Sequence, residues 1–278
     1  MKIIECPRDA IQGWKSPVST ALKVEYLNTL LQVGFDTLDF GSFVSPKAIP
    51  QMADTAEVYH QLKLDGVSTK LLAIVANLKG AEQAVLFEHI TYLGFPFSIS
   101  ETFQQRNTNS SITQAFETVK AIQGLCLKHD KKLVVYFSMG FGNPYGDPYS
   151  PDIVGEWAEK MALLGVEIIA LSDTVGVAEP PLIGQLFSHL IPLYPQIEFG
   201  AHFHASPFNW EEKIQAAYHA GCRRFDGALG GFGGCPMAND ELVGNINTIN
   251  LIEKFKDSYP INHQAWQKAI DLSQKIFI

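Results

Sequence analysis

Short runs of aliphatic and aromatic residues alternate along the whole chain with longer segments in which apolar residues recur at helical spacing. Short apolar runs are typical of buried strands, and the periodic segments are typical of amphipathic helices. The predicted strands are Lys2–Cys6, Thr37–Phe40, Leu71–Ala76, Tyr92–Phe97, Lys132–Phe137, Glu167–Leu171, Glu198–His204 and Arg224–Ala228. The predicted helices are Ser19–Val33, Pro50–Leu64, Ala81–His89, Ile112–His129, Pro151–Leu164, Pro180–Tyr194, Trp210–Ala220, Asp240–Lys256 and His263–Ile278. This alternation indicates consecutive βα units around a parallel sheet.

Eight βα units close most simply into an α/β TIM (β/α)8 barrel, with an additional helix at the C-terminus, and a right-handed open sheet is the alternative. The length of 278 residues leaves one or two domains open. Because no linker or low-complexity segment divides the chain, we predict a single barrel domain over residues 1–278.

Composition excludes several classes of protein. The net charge of −8 and the scattered basic residues argue against a nucleic-acid partner. No apolar run approaches the roughly 18 residues that span a bilayer, and charged residues interrupt the start too early for a signal peptide. The four cysteines form neither a disulfide framework nor a CxxC pair. We therefore expect a soluble cytoplasmic protein with free thiols and no membrane partner.

Polar residues gather directly after the predicted strands, at the face where barrel enzymes place their active sites. The clearest group is His202-Phe203-His204, whose two imidazoles point to the same side of a strand. Two such imidazoles suit a divalent metal ion, or they form a hydrogen-bonded pair at the rim. Asp9, after the first strand, can reach them where the barrel closes, and a carboxylate with two histidines leaves coordination positions open for catalysis.

Two further features of this face carry candidate chemistry. Arg8 supplies either a salt bridge to Glu5 or Asp39, or a fixed positive charge for an oxyanion. The run Gly230-Gly231-Phe232-Gly233-Gly234-Cys235-Pro236 follows the eighth strand and does not fit a dinucleotide fingerprint. It predicts either a mobile flap that carries a reactive thiol or a phosphate-binding loop with an incidental cysteine.

Five motifs in chain order resemble the 3-hydroxy-3-methylglutaryl-CoA (HMG-CoA) lyase family of metal-dependent barrel enzymes. They cover residues 3 to about 252 and are Cys6-Pro7-Arg8-Asp9-Ala10-Ile11-Gln12, Ser42-Phe43-Val44-Ser45-Pro46-Lys47 with Pro50-Gln51-Met52, Ser172-Asp173-Thr174-Val175-Gly176, His202-Phe203-His204, and Gly233-Gly234-Cys235-Pro236. Gly244-Asn245 falls where the family completes its metal shell.

The resemblance implies cleavage of an acyl-CoA thioester, HMG-CoA, to acetyl-CoA and acetoacetate. It implies Mg²⁺ or Mn²⁺ as cofactor, with Zn²⁺ or Co²⁺ able to bind in vitro, and family habit suggests a homodimer. The implied metal ligands are Asp9, His202, His204 and Asn245; the implied catalytic residues are Arg8, Asp9, His202 and Cys235; and the implied substrate contacts are Arg8, Gln12, Ser42, Ser138 and Asp173.

The chain departs from the family at several positions, including Asp39 in place of a glutamate and Ala205 in place of an aspartate. These departures keep alternatives open. One is a related enzyme that cleaves another 3-hydroxyacyl-CoA or condenses a 2-oxo acid. A mononuclear iron oxygenase fits the ligand placement poorly, and a degenerate barrel used as a scaffold would not need the ligands.

Overall fold

A computed structural model describes residues 1–234 and 243–278. Its strands all run parallel, and each pairs with the next in chain order, while β1 also pairs with β8. The strands are β1 Lys2–Glu5, β2 Thr37–Ser42, β3 Lys70–Ile74, β4 Ile90–Ser98, β5 Lys132–Ser138, β6 Ile168–Asp173, β7 Glu198–Phe203 and β8 Arg224–Gly227. The sheet is therefore a closed barrel, which confirms the predicted TIM fold and rules out the open sheet.

Alternate strand residues divide the core into two parts. The side chains of Leu72, Tyr92, Val134, Tyr136, Ile168 and Ala170 fill the inside of the barrel as one cluster. The outward-facing residues of the same strands join a larger cluster with the surrounding helices. Because both faces of each strand are buried, the strands read as continuous apolar runs, which made them easy to predict.

Most helices lie where the periodicity places them, within a few residues. They are α1 Pro7–Gln12, α2 Thr20–Leu30, α3 Thr55–Tyr59, α4 Leu78–Ala84, α5 Glu101–Thr108, α6 Ile112–Lys128, α7 Pro151–Leu163, α8 Pro180–Leu193, α9 Trp210–His219, α10 Thr248–Phe255 and α11 His263–Ile276. The last helix is the predicted C-terminal addition, and it packs beside α2. In the part of the chain that the structure describes, no helix has the length and apolar character needed to cross a bilayer.

One predicted helix is interrupted in the structure, and two short helices were not predicted. The helix predicted over Pro50–Leu64 is a 3₁₀ turn at Pro50–Met52 followed by the short α3, because Asp54 leaves the helical conformation and accepts hydrogen bonds from Thr20 and Lys23 at 2.7 and 2.8 Å. Helices α1 and α5 were missed: α1 has six residues, and in α5 only Phe103 and Gln104 are buried. Neither helix has an apolar period to detect.

The helix predicted over Asp240–Lys256 was also placed wrongly. Residues 235–242 lie outside the described part, and the described helix begins only at Thr248. The residues before it are extended: Ala205 donates from its amide to the Gly244 carbonyl at 3.0 Å, and Ala228 donates to the Ile246 carbonyl at 2.9 Å. This extended segment, residues 244–247, crosses the carboxyl ends of β7 and β8 at the mouth of the barrel.

Candidate active site and metal centre

Asp9, His202 and His204 come together at the carboxyl-terminal face of the barrel. One ligand-type atom from each of the three side chains lies within 4.8 Å of the others. Asp9 sits in the first turn of α1, directly after β1, and the two histidines lie at the end of β7. The closure of the barrel between β1, β8 and β7 is what brings the first and seventh strands close enough for this group to form.

His204 presents a neutral ring nitrogen to this group. Its Nδ1 lies 3.0 Å from the carbonyl oxygen of Thr174, which fixes Nδ1 as the hydrogen-bond donor. Burial and the neighbouring His202 lower the pKa of His204 to about 4, so the ring is neutral at pH 7. Its Nε2 is buried and has no hydrogen-bond partner among the described residues. A buried lone pair without a partner, in a group with another imidazole and a carboxylate, fits a metal ligand.

His202 is oriented by an acidic residue of the neighbouring strand. Its Nδ1 lies 3.1 Å from Oδ2 of Asp226, which is almost fully buried. Burial lowers the pKa of His202, but the hydrogen bond and charge of Asp226, with the charge of Asp9, outweigh it and raise the pKa above its ordinary value. The contact leaves Nε2 as the nitrogen available to a metal ion, since Nδ1 is held by the carboxylate. The two imidazoles are not bonded to each other, so the alternative of a hydrogen-bonded pair does not describe them.

Asp9 is held as an ionised carboxylate. Arg8 and Gln12 both donate to its Oδ1, at 2.9 and 2.8 Å, and Asn245 donates to its Oδ2 at 2.6 Å. Burial raises the pKa of Asp9, but Arg8, the two histidines and the Asn245 hydrogen bond outweigh it and lower the pKa to about 2. The carboxylate is therefore charged at neutral pH, as a metal ligand must be.

Asn245 reaches the group through backbone pairing. It forms an antiparallel bridge with His204, which places its side chain beside Asp9. Its Nδ2 donates to Asp9 and, at 2.9 Å, to the carbonyl of Phe232. With both amide hydrogens used, the Oδ1 atom is the part of this side chain that can serve as a ligand.

Arg8 makes a buried ion pair with Asp39. The guanidinium donates from Nε and Nη2 to Asp39 Oδ2, at 3.0 and 2.5 Å, while its Nη1 holds Asp9. Of the two partners expected from the sequence, Asp39 is therefore the one observed, and Glu5 instead accepts hydrogen bonds from Leu229 and Thr248. Arg8 still borders the pocket, so a fixed positive charge faces the space where substrate would lie.

A pocket opens above the group at the mouth of the barrel. Its wall includes the expected residues Arg8, Asp9, Gln12, Ser42, Ser138, His202 and His204, together with Val44, Ala48, Ile49, Ile74, Ala76, Pro96, Phe103, Asn107, Thr108, Tyr136, Ser172 and Thr174. The wall thus combines charged and polar groups with aliphatic and aromatic side chains. The pocket can accept a ligand that has both a charged end and an apolar part.

Asp173, which was predicted as a substrate contact, is not among the residues that line this pocket. Its Oδ2 accepts from Lys213 Nζ at 2.7 Å, and the residue is 1% exposed. The side chain follows the inward-pointing Ser172 on β6 and so points outward toward α9, because strand side chains alternate.

The glycine loop is described only as far as Gly234, so Cys235 and its predicted catalytic role lie outside the described residues. Gly233 adopts a φ of +107°, and a Cβ added there would lie 2.4 Å from Asn245 Nδ2 and 2.9 Å from Asp9 Oδ2. Glycine at this position therefore lets the backbone approach the Asp9–Asn245 pair closely.

Sequence reasoning missed the residues that support the two histidines, namely Thr174, Lys213 and Asp226. Asp226 could have been noticed from the sequence, because a charged residue in the middle of a predicted buried strand needs a partner. Lys213 could not, since a lysine on an amphipathic helix ordinarily marks the solvent side.

Comparisons with known proteins agree with this geometry. The sequence model of the HMGL-like family matches residues 2–276. The chain is 33% identical over 256 residues to the mitochondrial hydroxymethylglutaryl-CoA lyase of Macaca fascicularis, covering 91% of this chain and 77% of that protein. It is also 33% identical over 247 residues to the 3-hydroxy-3-isohexenylglutaryl-CoA/hydroxy-methylglutaryl-CoA lyase of Pseudomonas aeruginosa, covering 88% and 81%. The structure of an HMG-CoA lyase from Acinetobacter baumannii in complex with coenzyme A and 3-methylmalate matches with a TM-score of 0.90 and 31% identity, over 99% of this chain and 90% of that chain. The chain therefore belongs to the HMGL-like family, as its motifs indicate.

Proposed function

We propose that the chain is a metal-dependent carbon–carbon lyase that cleaves HMG-CoA to acetyl-CoA and acetoacetate within a single domain, residues 1–278. The observation that carries the proposal is the buried Nε2 of His204, which has no hydrogen-bond partner among the residues that the structure describes and lies beside His202 and Asp9, next to the cationic Arg8. Relatives that match most of the chain are named as HMG-CoA lyases, and one solved relative holds coenzyme A with 3-methylmalate, a hydroxy acid.

Four side chains would hold the metal ion: Asp9, His202, His204 and Asn245. Two neutral imidazoles with carboxylate and amide oxygens are compatible with Mg²⁺ or Mn²⁺, and Zn²⁺ or Co²⁺ can use the same ligands. When bound, the ion would stabilise negative charge on the hydroxyl oxygen of the substrate and orient its carboxylate. Asp9 contributes the negative charge that attracts the ion, because its pKa stays near 2.

Arg8 acts at the thioester end of the substrate. As the bond breaks, negative charge develops on the thioester carbonyl oxygen of the departing acetyl-CoA enolate. A guanidinium already fixed by Asp39 and Asp9 needs no reorganisation to stabilise that charge. Gln12, Ser42 and Ser138 border the same pocket and supply hydrogen-bonding groups for the substrate, while Cys235 is proposed to move the proton that the enolate requires.

The test is product analysis of the purified protein incubated with HMG-CoA and a small panel of other 3-hydroxyacyl-CoA thioesters. We expect acetoacetate and acetyl-CoA from HMG-CoA, loss of turnover in EDTA, and recovery with Mg²⁺ or Mn²⁺. Arg8→Met should lower kcat by about 10² to 10³ while Mn²⁺ binding is retained. His204→Ala should weaken Mn²⁺ binding itself. Turnover that persists after complete chelation would contradict the metal-dependent proposal.

A further inference from the structure

A second group of ligand-type side chains lies below the candidate active site, inside the barrel. Cys6, His202 and Asp226 each place one ligand atom within 4.8 Å of the other two. Cys6 and Asp226 are 0% and 2% exposed. We propose that this inner group, Cys6 with His202 and Asp226, is a second binding site for a thiophilic divalent ion such as Zn²⁺, and that it shares His202 with the active-site group.

The inner group has unused binding capacity. Asp226 Oδ2 contacts His202 Nδ1 at 3.1 Å, but its Oδ1 has no hydrogen-bond partner in the described part of the chain. The Cys6 thiol makes a single weak contact, 3.8 Å from the carbonyl oxygen of Ile4. Buried polar atoms normally have partners, and an oxygen, a nitrogen and a sulfur within a few ångströms suit the bond lengths of about 2.0 to 2.3 Å that Zn²⁺ forms.

The two sites differ in the kinds of ligand atom that they offer to a metal ion. The active-site group offers mainly oxygen and nitrogen, which hard ions accept. The inner group offers a sulfur, which hard Mg²⁺ disfavours and Zn²⁺, Cd²⁺ and Co²⁺ accept. His202 belongs to both groups. Its Nδ1 lies beside Asp226, and because a neutral imidazole has a single lone pair, His202 can serve only one of the two ions at a time.

The local charge also favours a cation. Asp226 belongs to the inner group, and the carboxylates of Asp9 and Asp39 act on Cys6 from nearby. These negative groups attract a divalent ion. Binding forms a sulfur–metal bond and releases the thiol proton to solvent, and the His202 proton moves from Nδ1 to Nε2 so that Nδ1 can bind the ion. The step therefore needs no oxidant or other reactant. Arg224, on the same strand, is fully buried and interacts with the charge of Asp226 as well as that of Glu198, so it offsets part of this attraction.

A thiolate–metal signal can be assigned to this site. Cys126 and Cys222 are also buried, yet neither joins a group of three ligand-type residues within the described ranges. Cys222→Ser is thus a control for Cys6→Ser, since each replaces a fully buried thiol next to a strand, Cys6 directly after β1 and Cys222 shortly before β8. Cys235→Ser controls for the thiol of the glycine loop.

The experiment titrates metal-free protein with Cd²⁺ and with Co²⁺ and follows the ultraviolet sulfur-to-metal charge-transfer band. We expect the band to saturate at one ion per chain, to disappear in Cys6→Ser and to weaken in Asp226→Ala. It should persist in Cys222→Ser, Cys235→Ser and His204→Ala. A band that is absent from the unmodified protein, or that survives Cys6→Ser, would overturn the proposal.

A parallel titration with Mn²⁺, followed by electron paramagnetic resonance, separates this proposal from the proposed function. Mn²⁺ should bind Cys6→Ser as it binds the unmodified protein, which also shows that this variant folds. Loss of the cadmium band in His204→Ala would place the thiophilic ion in the active-site group and so contradict the inner site. Failure of Mn²⁺ to bind the unmodified protein would instead contradict the proposed metal-dependent lyase and leave the cadmium result to decide the inner site alone.

Discussion

Lys213 on α9 donates to Asp173 at the end of β6 over 2.7 Å, and both side chains are almost completely buried. The same Nζ donates to the carbonyl oxygens of Gly176 and His204, at 2.9 and 3.2 Å. One ammonium group therefore ties together the loops after β6 and β7. Since Thr174 in the first loop orients the His204 ring, this ion pair supports a proposed metal ligand without touching the metal position.

Lys213→Met should destabilise the fold and weaken metal binding together. Removing one partner leaves the Asp173 carboxylate buried and unpaired, which costs about 3 to 5 kcal/mol. The measurement is urea denaturation combined with Mn²⁺ titration. The double variant Lys213→Met/Asp173→Asn should be more stable than Lys213→Met alone, because it no longer buries an unpaired charge. Equal stability of the single and double variants would show that the pair is not coupled.

Asp226→Ala should lower Mn²⁺ affinity by about 10- to 100-fold, because the carboxylate that orients His202 is lost. Asp226→Asn keeps an oxygen that can accept a hydrogen bond from Nδ1. Its Mn²⁺ affinity should therefore lie between those of the alanine variant and the unmodified protein. Circular dichroism checks that the barrel is intact. Unchanged Mn²⁺ affinity in the alanine variant would remove the orienting role.

Gly233→Ala should disrupt the Asp9–Asn245 pair, since the new methyl group would lie 2.4 Å from Asn245 Nδ2. We expect Mn²⁺ affinity to fall at least about tenfold, as for other disturbed supporting contacts. Gly66→Ala is the control, because Gly66 also has a positive φ, +72°, but nothing lies within 4 Å of its added Cβ. It carries a similar backbone strain of about 1 to 3 kcal/mol without the clash. If both variants lose affinity equally, the close approach at Gly233 is unimportant.

The buried carboxyl group of Glu5 should make the free energy of unfolding fall as pH rises. Burial raises the pKa of Glu5 from 4.5 to about 8, despite its hydrogen bonds with Thr248 and Leu229. Between these values the folded chain holds a proton that the unfolded chain has released, so the contribution is complete below pH 4.5 and lost as pH approaches 8. The slope is roughly 1 kcal/mol per pH unit. Glu5→Gln should remove this component, and denaturation midpoints from pH 5 to about pH 8 would reveal it. Parallel curves for both proteins would show that Glu5 does not titrate in this way.

The barrel could be predicted from the sequence because strands buried on both faces leave uninterrupted apolar runs. The meeting of Asp9 with the two histidines followed from barrel closure, which fixes neighbours without any side-chain detail. The supporting contacts could not be predicted in that way. Asp173 stands in a recognisable motif, yet only the structure shows which side of β6 its side chain is on and that it contacts Lys213. Asp226 contacts His202 because of the register between strands, which the whole sheet determines.

Asn245 and Asp9 are joined by a hydrogen bond across 236 positions of the chain. Such a contact carries a large loop-closure cost and cannot form until the first strand meets the last. The proposed metal site is therefore incomplete in a partly synthesised or half-folded chain. Metal uptake should consequently mark the end of folding, and the rate at which Mn²⁺ becomes tightly held during refolding should report closure of the barrel.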